Sequence, residues 1–381
     1  MDVEVDVAVA GVGVAGTFTL NSLSKDLKVV GIDKKERLGY PVECGEIVPT
    51  REEMEELLPD LHDHSLFDIP KRFETNITRE TDFVLPNGKT FRVDFNMHVL
   101  NRDKMLQSVA NNSGHELKLN TKITDFDDGK LVLDNGETIN PEVTVACDGA
   151  NSRIARRLGV WNYTRVPAKQ YLMKGVECEE DTIYMFVGKK ICPGAYAWII
   201  PKGKGYANVG LGFIREQANP GDDIHKALDR FVKEYPHSSK FLRSAEVISK
   251  IGAFVPVDPP LQRTVYGNTM LVGDSASMVL SHVGAGIPTS MVAGDQAGKA
   301  INQYFEGGRL EKFDVMWKIY LLGAMERSNY IKRCWDMMDN EEISRYMKLV
   351  TNNDMGKILR SKVPLKLKVF SALFPLLKRI T

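Results

Sequence analysis

The chain has no surplus of charge of either sign. Lys plus Arg and Asp plus Glu each number 50 among 381 residues, and the pI is about 7.1. A dedicated nucleic-acid binder carries a basic footprint, and an acidic disordered chain carries the reverse; neither fits, and no nucleic-acid partner is expected. Cysteine is scarce. The five residues, Cys44, Cys147, Cys178, Cys192 and Cys334, are odd in number and form no C-x-x-C. That excludes a disulfide framework and a zinc ribbon, predicts no metal site, and points to a reducing compartment, the cytoplasm. No uncharged apolar run reaches the roughly eighteen residues that a spanning helix needs. The N-terminus, MDVEVDVAVAGVG, lacks a basic segment ahead of an apolar one, so no signal peptide is expected. Internal repeats and low-complexity linkers are missing too. The hydrophobic share, 43%, is that of an ordinary globular protein. At this length one core stops growing, which predicts two or three subdomains.

The order of apolar patterns gives a fold class. Val3–Ala10 reads as a buried strand running into a Gly-rich turn. A helix over 17–25 and a second strand at Leu27–Asp33 complete a βαβ unit, so the fold is α/β with a parallel sheet. REEMEELL, from Arg51, predicts a surface helix ending before Pro59. Residues 71–100 predict two strands about Asn87-Gly88, and 126–146 a hairpin about Asp134-Asn135-Gly136 ending in VTVA. The stretch 166–255 is β-rich and predicts an antiparallel sheet inserted into the nucleotide-binding domain; 306–381 predicts helices rich in Met, Leu and aromatics. The expected division is 1–165 plus 256–305, then 71–100 with 166–255, then 306–381.

Three elements carry chemistry. Gly11, Gly13 and Gly16 form G-x-G-x-x-G directly after the first strand, where glycine permits a tight turn and close approach of backbone to a pyrophosphate. The following helix start offers free N–H groups to phosphates. Asp33, 22 residues beyond Gly11, can accept from ribose hydroxyls. This pattern does not separate NAD from FAD. The second element is Cys147-Asp148-Gly149, where Asp148 is either a ligand or an ordinary turn and helix cap. The third is Gly273-Asp274 with Gly284, Gly286 and Ile287, whose helix start can face a flavin carbonyl.

In this order the three elements resemble the FAD-dependent monooxygenase-like flavoproteins of glutathione-reductase type. Within that group the chain resembles the geranylgeranyl reductases, especially the archaeal digeranylgeranylglycerophospholipid reductases. The resemblance is carried by Tyr40-Pro41-Val42-Glu43-Cys44-Gly45-Glu46 and by Pro193, Tyr196, Trp198 and Pro201, with Ile200 where the family has Phe. Lys202-Gly203 and Asn208-Val209-Gly210-Leu211-Gly212 match as well. The resemblance implies a Rossmann-type fold and FAD contacts at Ala15, Asp33, Cys44, Gly45, Ile47, Arg102, Ile123, Asp274, Gly286 and Ile287. It also implies reduction of isoprenoid double bonds, with hydride from reduced flavin to the more substituted carbon and a proton to its neighbour. Two departures stand out: Ser275 where Ala is usual, and Ser281-His282 where Pro is common.

Tyr196 and Trp198 are two apart on a predicted strand and therefore share a face. They are either sheet core or, with the family, an aromatic wall beside the flavin that guides an apolar chain. Cys44 either donates the proton or packs as a small hydrophobe. Glu43 and Glu46 are either alternative proton sources or solvated loop carboxylates, and His98 and His282 receive no role. Residues 355–381 hold Lys357, Arg360, Lys362, Lys366, Lys368, Lys378 and Arg379 and no carboxylate, which leaves the rest at −7. Interleaved leucines and phenylalanines predict a segment at an anionic membrane surface, with Pro375 breaking or kinking any helix. The expected partners are a polyprenyl lipid, the inner face of the cell membrane, and a ferredoxin-like protein or NAD(P)H as electron donor. Two alternatives stand beside this: a flavin monooxygenase or halogenase, and a flavin-free prenyl carrier.

Overall fold

The structure, a computed structural model, describes residues 2–377, with side chains through residue 372. Its first sheet is centred on Asp2–Ala10. Val29–Ile32 pairs with it in parallel on one side (Val7 opposite Val29) and Thr138–Ala146 on the other (Val7 opposite Val143). Thr269–Leu271 and Glu116–Lys118 extend it outward, again in parallel. All four residues of Val29–Ile32 are buried, as expected of a parallel strand covered on both faces. The hairpin Ile123–Asp127 and Lys130–Leu133 leads antiparallel into Thr138–Ala146. The first helix, Val14–Ser22, starts directly at Gly13 rather than at residue 17, and Ile287–Phe305 packs beside it.

The second sheet runs, from one edge, Glu246–Pro256, Arg165–Lys174, Tyr206–Gly212, Tyr196–Gly203, Thr182–Val187, Glu74–Val84, Thr90–Leu100 and Ile47–Pro49. The antiparallel expectation needs correction at one place: Thr182–Val187 lies parallel to Glu74–Val84, with Ile183 opposite Thr81. These two strands come from distant parts of the chain, so no hairpin sets their relative direction. Alternation divides the faces. Tyr184, Phe186, Ala197 and Ile199 pack under the helix Ile224–Lys233. Ile183, Met185, Trp198 and Ile200 face the C-terminal helices.

Those helices include Gly323–Asp336, Asn340–Tyr346, Asn352–Leu359 and Leu365–Leu377. The break expected at Pro375 is not found. The residue sits in the last turn, so at most one internal hydrogen bond is missing. Lys378 and Arg379 lie outside the described residues.

Candidate functional site

Two strand ends meet at the glycine turn. Gly11 has φ +93°, and a Cβ there would sit 2.4 Å from the Cys147 carbonyl oxygen. A Cβ on Gly16 would sit 2.0 Å from the Gly11 carbonyl oxygen, so the helix can close on the strand only with glycine at both positions. Gly13 differs: nothing lies within 4 Å of its would-be Cβ, and no side chain caps the helix it begins. An uncapped N-terminus thus faces open space of the kind a pyrophosphate fills. Asp33 Oδ2 accepts from Val12 N at 2.8 Å and Oδ1 from Lys35 N at 2.8 Å, which fixes the carboxylate beside the turn. Ala15 abuts the third motif, since a Cβ on Gly273 would lie 2.8 Å from its own.

A second uncapped N-terminus begins after Gly286, with Ile287 and Pro288 in its first turn. A Cβ on Gly286 would lie 3.1 Å from Asp274 Oδ1. Burial pushes the Asp274 carboxyl up to about 6, partly offset by Arg102. Arg102 Nε is buried without a hydrogen-bond partner among the described residues, while its backbone N–H donates to Glu46 Oε1 at 3.2 Å. A desolvated acid and an unsatisfied guanidinium beside two open helix ends suit the hydroxyls and phosphates of a dinucleotide flavin. Ile47 and Ile123 each open a strand, opposite Val99 and Leu133, and are half-buried.

Asp148 is placed differently. Its carboxylate accepts from Ser152 Oγ (2.6 Å), Arg153 N (2.7 Å) and Ile154 N (3.3 Å). It is engaged at the start of Arg153–Arg157, the turn-and-cap alternative.

The Cys44 loop is bolted to the second sheet. Gln170 Nε2 donates to the Cys44 carbonyl at 2.9 Å, and Gln170 Oε1 accepts from Trp198 Nε1 at 2.9 Å. Asn208 Nδ2 donates to the Gly45 carbonyl at 3.1 Å. Glu46 N lies 3.3 Å from Cys44 Sγ. Tyr196 reaches the other way and donates its hydroxyl to the Val283 carbonyl at 2.5 Å; burial, then the nearby Cys44, hold that hydroxyl protonated. The Tyr196 and Trp198 rings lie 5.6 Å apart at 58°. A Cβ on Gly210 would sit 2.5 Å from Trp198 Cζ2, so this glycine makes room for the indole.

Both glutamates are engaged in ion pairs. Glu43 pairs with Lys35 at the surface, at 2.9 Å. Glu46, 3% exposed, is held by the Lys202 ammonium, Asn208 Nδ2 and Arg102 N. A buried carboxylate so fully paired is a clamp on the loop. Sequence reasoning missed this clamp and the Gln170 bridge; Lys202 and Asn208, in segments already matched to the family, were the available signal. The Ser275 departure is accommodated: its hydroxyl donates to the Ala146 carbonyl at 2.6 Å. The sequence assigns His282 no role, yet its ring lies between Ser328 Oγ (2.7 Å) and the Ile358 carbonyl (2.9 Å). It ties the loop before Gly286 to the C-terminal helices.

Residues 165–255 match the geranylgeranyl reductase catalytic domain. The chain is 29% identical to digeranylgeranylglycerophospholipid reductase 2 of Methanopyrus kandleri over 98% of each chain. It is 28% identical to the digeranylgeranylglycerophospholipid reductase of Methanospirillum hungatei, over 93% of this chain and 91% of that one. Among solved structures, a geranylgeranyl bacteriochlorophyll reductase-like protein from Thermoplasma acidophilum superposes with a TM-score of 0.83 at 22% identity, covering 98% of this chain and all of that one. The flavin-dependent brominase Bmp2 gives 0.71 at 17% over the whole of both chains. A variant of the halogenase PltM in complex with FAD gives 0.68 at 16%, over 91% of this chain and 79% of that one. These structural likenesses show that the chain shares their fold.

Proposed function

We infer that the chain is a member of the geranylgeranyl reductase family and, as such, a flavin-dependent enzyme that saturates the isoprenoid chains of archaeal-type membrane lipids. The observation that carries the site is the aromatic wall. Trp198 is tied through Gln170 to the Cys44 loop, and Tyr196 to the loop that opens the Ile287–Phe305 helix. The Tyr196 contact, at Val283, lies three residues before Gly286, where the second uncapped helix begins.

The N-termini at Gly13 and Gly286 would hold FAD, with Arg102 on its phosphates and Asp33 and Asp274 on its hydroxyls. Bound there and reduced, FAD supplies hydride to an alkene carbon. The chain's own residues do the rest. Trp198 and Tyr196 hold the apolar chain against the site and exclude water, which a substrate without a carbonyl requires. Cys44 Sγ holds the proton for the neighbouring carbon, and the Glu46–Lys202 clamp keeps it in place. The Tyr196 hydroxyl, already donating to Val283, positions the wall and keeps its proton.

The electrons come from a separate carrier. No second dinucleotide fingerprint occurs in the sequence, which favours a ferredoxin-like protein over NAD(P)H. Among the described residues no helix is long and apolar enough to cross a membrane; in this reading the lipid substrate is met at the membrane surface by peripheral attachment. The test is product mass. Dithionite-reduced protein incubated with an unsaturated archaeal lipid should return lipid heavier by about two hydrogens per double bond. Unchanged lipid from protein that retains its flavin would overturn the reading.

A further inference from the structure

One corner of the C-terminal helices exposes side chains that folding normally hides. The end of Asn340–Tyr346 meets the start of Leu365–Leu377. There Lys366 Nζ donates to the Leu349 carbonyl at 3.0 Å, and the Tyr346 and Phe370 rings lie 4.6 Å apart. At this corner Leu349 is 70%, Leu365 76% and Val369 49% exposed. Clustered exposed aliphatics mark a surface that meets something apolar.

The same corner is cationic. A cleft of about 490 Å³ opens beside it, lined by Lys190, Asn340, Glu341, Ser344, Arg345 and Lys348. Lys368 stands exposed on the last helix. Among the described residues no ion pair joins Lys190, Arg345, Lys348 or Lys368 to a carboxylate. Nearby cations are neutralised: Arg360 by Glu53 at 2.7 Å, Lys362 by Glu56 at 3.0 Å and Lys366 by Asp354 at 2.9 Å. Lys190, Arg345 and Lys348 thus line the cleft with three cations against the one carboxylate of Glu341, and they lie outside the basic tail.

Behind the corner the packing is apolar. Met338, Met347 and Met355, with Tyr346 and Phe370, belong to one apolar cluster with Tyr196 and Trp198. The corner is thus backed by the same apolar packing that supports the aromatic wall.

We propose that this corner docks on an anionic phospholipid bilayer. Lys190, Arg345 and Lys348 gather lipid phosphates at the cleft, and Leu349, Leu365 and Val369 enter the acyl boundary. Unpaired cations around apolar side chains complement a negatively charged interface with an apolar interior. The inference rests on the reductase reading for its purpose, while its test does not depend on activity.

The test is sedimentation of the full flavin-loaded chain with phosphatidylcholine vesicles, with and without phosphatidylglycerol. Native protein should bind the anionic vesicles and release as salt rises. Combined Lys190→Gln, Arg345→Gln and Lys348→Gln should weaken that binding by on the order of a hundredfold. Leu349→Ser with Leu365→Ser should also weaken it, and both variants should keep native turnover on detergent-dispersed lipid. Equal binding to neutral vesicles, or undiminished binding by the triple variant, would overturn the proposal. Charge-dependent vesicle binding by a chain that reduces no lipid would uphold the docking face and sink the reductase reading alone.

Discussion

Asp274 and His282 titrate in opposing senses. Burial raises Asp274 from 3.8 to about 6 and lowers His282 from 6.5 to about 4. The raised carboxyl contributes stability that is present below about pH 4 and lost as pH rises through 6. The depressed imidazole contributes stability that is present above about pH 6.5 and lost as pH falls through 4. Between pH 4 and 6 the two slopes largely cancel. Relative to the native flavin-free chain, Asp274→Asn should therefore lose about 3 kcal/mol more on going from pH 6.5 to 4. His282→Gln should tilt the other way by a similar amount. Urea midpoints across that range read both, and parallel profiles for the two variants would contradict the assignment. Lys202→Met should cost on the order of 3–5 kcal/mol, because it strands buried Glu46 without its cation; urea denaturation measures it. These residue-scale partners were hidden in the sequence. Glu46 and Lys202 lie 156 positions apart, and Gln170 reads as an ordinary strand residue. Gly11, Gly13 and Gly16 were legible because their requirement is local.

Elements carry the wall and the tail. Trp198 depends on its neighbouring strand: Gly210→Ala would place a Cβ 2.5 Å from its ring and 2.6 Å from the Lys169 carbonyl. The indole must shift, since backbone cannot yield as easily. The strand must give too, at a cost of about 1–3 kcal/mol seen as a lower thermal midpoint; below that midpoint, with flavin fluorescence still quenched, turnover should fall by tenfold or more, and retained turnover would free Trp198 from any positioning role. In the C-terminal region the amphipathic composition was legible and its wiring was not. Arg360 reaches the helix Arg51–Leu57 from the far end of the chain, donating to Glu53 and to the Asp94 carbonyl. Arg360→Met should therefore destabilise the fold by on the order of 3–5 kcal/mol, whereas Lys368→Met, a surface change, should leave it within about 0.5 kcal/mol. Calorimetry separates the two. The parallel pairing of Thr182–Val187 with Glu74–Val84 was likewise illegible, because strand periodicity specifies faces and leaves direction open.

For the molecule as a whole, a neutral sum conceals an asymmetry, with seven cations in residues 355–381 and −7 elsewhere. Folding spends part of that asymmetry inside the protein, through Arg360, Lys362 and Lys366 on Glu53, Glu56 and Asp354. The tail is thus a strap on the body as well as part of a surface. In the proposed site both sheets contribute: the first would supply the glycine turn and Asp33, the second the wall, with the Cys44 loop held to the second sheet through Gln170 and Asn208. The most direct measurement is an anaerobic single turnover. Protein reduced with one equivalent of dithionite is mixed with an isoprenoid lipid, and the flavin absorbance is followed. The account predicts return of the oxidised flavin spectrum with the unsaturated lipid and none with its saturated counterpart. A reduced flavin that persists with both, and reoxidises only when oxygen is admitted, would contradict it.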